Sequence, residues 1–168
     1  AQATAEFNAQ YQRHPLFAQW VDKAVLPHKV AGYKVVVIPL KHPEQAPGDV
    51  TAAQLDALAN LSERYSLGEV RVTHEQNLIF ADVQQADLFA LWQQLRPLKL
   101  VAPIYGTLQD LICCPGLDYC SLANAPSIPL AQAIQTHGLA EDRYGVRLRL
   151  LVLDGHTFLR GHPFSSIL

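Results

Sequence analysis

An α+β fold is what this sequence predicts, on three observations. Between residues 30 and 100 the apolar pattern changes period in the order strand, helix, strand, strand, helix. Both helices in that order carry their own start or stop signals. Hydrophobic residues make up 49% of the 168-residue chain and charged residues 17%, which is enough apolar material for a well-filled core. The order of elements is the split-βαβ arrangement of ferredoxin-like domains. The predicted division is a poorly ordered segment over 1–13, a ferredoxin-like domain over 14–102, and a cysteine-bearing loop and helix extension over 103–168.

The elements follow one by one. Residues 1–13 are polar and read as poorly ordered. His14-Pro15 opens a short helix, and Phe17, Trp20, Val21 and Ala24 recur at helical spacing. Tyr33 to Leu40 holds the β-branched run Val35 to Ile38, a buried strand. The stretch 41–48 is a loop by its proline and glycine content. Thr51 caps the next helix, with Gln54 completing a capping box and Val50 and Leu55 spaced as a hydrophobic staple. Leu55, Leu58, Ala59, Ser62 and Tyr65 form its inward stripe. Residues 70–73 and 78–80 read as neighbouring strands. The next helix, about 84–95, presents Leu88, Leu91, Trp92 and Leu95, and Pro97 stops it. Residues 103–126 are mostly loop. A helix begins at Ser127 and runs to about His137, closed by Gly138. Residues 146–153 read as a strand, and the tail beyond Asp154 has no clear pattern.

Composition excludes several classes. A formal net charge of −2 leaves no basic footprint for nucleic acid. No run of 18 apolar residues is present to span a membrane. The first residues lack the basic and apolar regions of a signal peptide. Three cysteines, two of them adjacent, make a poor disulfide framework, and the thiols fit a reducing cytoplasm better. The chain has no methionine, even at position 1, and so reads as a fragment, a processed product or a sequence lacking its modified methionines. P-loop, Gly-x-Gly-x-x-Gly and Gly-x-Ser-x-Gly patterns are absent.

Two constellations carry chemistry. Cys114 and Cys120 lie six positions apart around a Pro115-Gly116 bend, so that two sulfurs face one centre along an edge. An iron–sulfur cluster takes such a pair as two of its four thiolates. Zinc more often takes a Cys-x(2–4)-Cys spacing, whereas five residues intervene here. Cys113 is set aside as a further ligand, because adjacent side chains point apart. On spacing alone, burial of all three as small hydrophobes is an equal alternative. The second constellation is Arg71, Thr73, Gln76 and Asn77, a guanidinium with hydroxyl and amide groups in one strand and turn. It suits a carboxylate-rich ligand, but on the residues alone a solvated polar hairpin is the stronger reading.

The segment Arg71-Val-Thr-His-Glu-Gln-Asn-Leu78, with Cys114-x5-Cys120 and Leu122-Ala-Asn-Ala125, resembles the siroheme-containing nitrite and sulfite reductase hemoproteins. His28-Lys-Val-Ala-Gly-Tyr33 and Pro47-Gly-Asp-Val-Thr51 are similar to the same family, and the likeness extends over about residues 14–135. It implies a ferredoxin-like half domain followed by the start of the siroheme and [4Fe–4S] domain. It implies a six-electron reduction of sulfite to sulfide or nitrite to ammonia. The cofactors implied are siroheme and a [4Fe–4S] cluster, and the electron donor is a ferredoxin or a flavoprotein. By position, Cys114 and Cys120 match the first cysteine pair of the cluster motif, and Arg71, Thr73, Gln76 and Asn77 match a segment facing siroheme.

The departures from the family are large. Its second pair, Cys-x3-Cys, is missing after residue 135, as is the first half of the pseudo-repeat. The resemblance therefore implies a chain that is inactive in isolation and lacks the other half of the hemoprotein as its partner. The alternative is a cofactor-free module that covers its exposed pseudo-repeat face by forming a homodimer.

Overall fold

The computed structural model describes residues 2–107, 109–136, 148–153 and 156–161. The chain divides into two compact units, Ala1–Pro39 with Val50–Pro103, and Leu40–Asp49 with Ile104–Leu168.

The first unit runs α1 (Gln2–Arg13), α2 (Pro15–Ala24), β1 (Val25–Pro27), β2 (Tyr33–Pro39), α3 (Ala52–Tyr65), β3 (Arg71–Val72), β4 (Asn77–Gln84) and α4 (Leu88–Leu95). Its sheet has the order β1-β2-β4-β3. Both β2 and β3 pair antiparallel with β4. They therefore run parallel to each other, joined by α3 and separated by β4, which is the split-βαβ arrangement. The α+β reading of the sequence holds.

Burial at consecutive positions Val36, Val37 and Ile38 shows that both faces of the sheet are covered there. The predicted stripe of α4 is buried throughout: Leu88, Leu91, Trp92 and Leu95. Phe17 anchors an aromatic cluster, with ring centroids 5.9 Å from Trp20, 5.1 Å from Phe89 and 5.5 Å from Trp92. Full burial of one such side chain contributes about 1.5–3 kcal/mol. On α3, Leu58, Ser62 and Tyr65 face inward, whereas Leu55 is 47% exposed.

Two differences from the sequence reading stand out. The segment expected to be poorly ordered is the helix α1. Its Phe7 and Tyr11, one turn apart, pack as tilted rings with centroids 6.1 Å apart, and Phe7 also meets Phe17 edge-on. Contact with the aromatic cluster holds the helix where polarity alone predicted none. Strand β1 was also unforeseen. Three residues are too short to display a period, and Pro27 sits at the end of an edge strand, where a missing N–H costs little.

The second unit contains β5 (Ile112–Cys113), α5 (Ser127–Thr136), β6 (Leu148–Leu153) and β7 (His156–Gly161). β5 runs parallel to β6, with α5 between them in sequence, and β6 pairs antiparallel with β7. Leu111, Cys113 and Ala131 form its buried cluster, packed by Ile128, Leu130 and Ile134. The predicted strand over 146–153 appears as β6. The predicted stop at Gly138 lies outside the described residues. Among the described residues, no helix is long and apolar enough to cross a membrane.

Candidate functional site

The thiol loop begins where β5 ends. Cys113 points into the core of its unit, 3% exposed, and its Sγ lies 3.1 Å from the carbonyl oxygen of Cys114. Burial pushes the Cys113 thiol up to about 11; Cys114 adds to the shift and Lys41 opposes it. A thiol so held is a poor metal ligand at neutral pH. Cys114 and Cys120 are free and half-buried.

Between them a single 3-10 turn spans Gly116–Asp118. The Gly116 carbonyl accepts from the Cys120 amide at 2.9 Å, and the Leu117 amide donates to Ala125 at 3.2 Å. Gly116 has a φ of +59°, and a Cβ added there would stand 2.7 Å from the Ser127 nitrogen and 2.8 Å from the Ala125 oxygen. Only glycine fits that close approach of the loop to the start of α5. The predicted bend is therefore real, and it sets one thiol at each end of the turn.

Two thiolates are half of what a [4Fe–4S] cluster takes. Among the described residues no group of three or more His, Cys, Asp or Glu side chains converges on one point. The described donor set thus does not fit the complete cluster.

The second constellation forms the β3–β4 hairpin. The Thr73 carbonyl accepts from the Gln76 amide at 3.2 Å, and the Thr73 amide donates to the Asn77 carbonyl at 2.9 Å. The Thr73 hydroxyl accepts from the Asn77 amide at 3.3 Å. Gln76 has a φ of +59°, the left-handed residue that follows the turn in a three-residue hairpin loop. The structure thus brings Thr73, Gln76 and Asn77 into one turn. Asn77 is wholly buried.

Arg71 lies on β3 and is engaged elsewhere. Its Nε donates to Glu69 at 2.8 Å, and its Nη2 donates to the same oxygen. Asp82 lies 3.7 Å from Nη2 and also faces His28 Nε2 at 3.2 Å. The guanidinium is held above its ordinary range, chiefly by the Glu69 hydrogen bond. The amide of Val30 donates to His28 Nδ1 at 2.9 Å, which leaves the imidazole proton on Nε2, toward Asp82. The sequence reading missed this Glu69–Arg71–Asp82–His28 chain. Glu69, two residues before Arg71, was the available signal. Asp82 required the strand register.

With that geometry in view, residues 36–98, from within β2 to just beyond α4, match one family. It is the nitrite/sulfite reductase ferredoxin-like half domain. The chain is 32% identical over 101 residues to the chloroplastic ferredoxin–nitrite reductase of Zea mays, covering 59% of this chain and 17% of that protein. It is 34% identical over 77 residues to the chloroplastic ferredoxin–nitrite reductase of Arabidopsis thaliana and 33% identical over 76 residues to that of Oryza sativa, in each case 45% of this chain and 13% of the relative. The resemblance drawn from the sequence is borne out at the level of the half domain that residues 36–98 match. Cys114 and Cys120 lie beyond the matched half domain.

The relatives overturn one expectation. Each is chloroplastic, so the cytoplasmic assignment made from the free thiols does not stand. Unpaired cysteines argue for reducing surroundings, and such surroundings do not single out the cytoplasm.

Proposed function

We propose that this chain is a portion of a siroheme and [4Fe–4S] nitrite/sulfite reductase. It would supply the ferredoxin-like half domain and two of the four cluster thiolates. The match of residues 36–98 to that half domain, on a split-βαβ sheet, carries the reading. In it, Cys114 and Cys120 are ligands, and Cys113 is a core residue. Arg71, Thr73, Gln76 and Asn77 form a hairpin on the siroheme side, with Glu69 and Asp82 fixing the guanidinium. The missing half of the hemoprotein and an electron donor, a ferredoxin or a flavoprotein, complete the enzyme. Each reduction step consumes protons and acts on an anion, so basic side chains from the missing portion are part of the proposal. The second reading, motivated by a chain with only three cysteines, one of them in the core, is a cofactor-free module that self-associates.

A graft separates the two readings. Residues 14–135 replace the corresponding segment of the maize ferredoxin–nitrite reductase. The expected outcome is a protein that retains siroheme and iron–sulfur absorption and reduces nitrite. In the graft, Cys114→Ser and Cys120→Ser each abolish the iron–sulfur absorption, and Cys113→Ser retains it. A folded but colourless graft counts against the cofactor reading.

A further inference from the structure

The first unit holds a cavity of about 270 Å3 that none of the chemistry above uses. It is lined by Phe7, Asn8 and Tyr11 of α1, Val21 of α2, Val25 of β1, Lys34 of β2 and Leu88 of α4. Its walls are mainly apolar and aromatic, with three polar groups among them. The Tyr11 hydroxyl already donates to Asp22 at 2.6 Å, outside the lining. Asn8 is exposed, and among the described residues no protein group hydrogen-bonds its side chain. Lys34 is half-buried on the sheet, and among the described residues no carboxylate pairs with its ammonium.

A lysine half-buried at the rim of an apolar cavity offers an anionic guest a charge-assisted hydrogen bond. Cavities that take small molecules have this composition, apolar walls with a few placed polar groups. The volume falls just below the roughly 300–1,000 Å3 of drug-sized ligands, so the guest is small.

We propose that this cavity binds a small amphipathic monocarboxylate. Its carboxylate pairs with Lys34 and accepts from the Asn8 amide, while its apolar body rests on Phe7, Val21 and Val25. The site lies within one unit and does not depend on the cofactor reading.

Benzoate is the probe, with benzyl alcohol as its uncharged counterpart, and binding to the whole chain is followed by amide chemical shifts. Benzoate is expected to saturate and to perturb residues of α1 and β2. Benzyl alcohol is expected to bind about tenfold more weakly, the scale of one lost charge-assisted hydrogen bond. Lys34→Gln lowers benzoate affinity by about the same factor, and Lys34→Arg restores it. Val21→Phe, which fills the cavity, abolishes binding, and a retained thermal transition shows that each variant is folded. No saturable benzoate shift in the wild type overturns the proposal. So does equal binding of benzoate and benzyl alcohol, or unchanged benzoate affinity in a folded Lys34→Gln variant.

Discussion

Burial separates three neighbouring thiols into two kinds. Cys113 ionises at about 11 in the fold against an ordinary value of 9.0, because its thiolate would lie in an apolar cluster. The unfolded chain therefore releases this proton first as the pH rises. The contribution of Cys113 to stability is full below pH 9, falls as the unfolded form ionises, and is lost by about pH 11. Urea midpoints measured across that window should decline more steeply for the wild type than for Cys113→Ala, whose side chain does not titrate. Parallel slopes would remove this account. Cys113 is buried while Cys114 beside it is half-buried, as alternation along a strand allows. The sequence did not reveal that Arg71 is bound to Glu69 and faces Asp82, because Asp82 comes close only through the β3–β4 register.

At the scale of elements, legibility followed locality. The start of α3 was readable because its capping box is written within four residues. The Thr51 hydroxyl accepts from the Gln54 amide at 3.2 Å, and Gln54 Oε1 accepts from the Thr51 amide at 2.9 Å. Gln54 also donates through Nε2 to the Leu98 carbonyl at 2.9 Å, so the box ties the helix to the chain beyond α4. Thr51→Ala should cost about 1 kcal/mol of folding free energy, read as a lower urea midpoint at unchanged slope. An unchanged midpoint would mean that solvent replaces the cap without loss. Strands β1, β5 and β7 were not readable. β1 and β5 hold three and two residues and exist by virtue of their partners. β7 carries no period of its own and is placed by its register with β6. The same holds for α1, whose amphipathic contact lies with Phe17 rather than in its own composition.

At the scale of the whole molecule, the 168 residues match a small part of longer relatives. The chain spans 17% of the length of its maize relative and 13% of the Arabidopsis and rice relatives. Residues 36–98 match a half domain, and the first unit has a filled core. The second unit carries the thiol pair, with two of the four donors that a cluster needs. Each thiolate both neutralises cluster charge and fixes geometry, so half a donor set does not give half an activity. The purified chain, supplied with reduced methyl viologen, should therefore produce neither ammonia from nitrite nor sulfide from sulfite above the rate without protein. Sustained production of either, lost on Cys114→Ser, would mean that the remaining ligands come from a second copy or from residues outside those described, and that the chain is a catalyst in its own right.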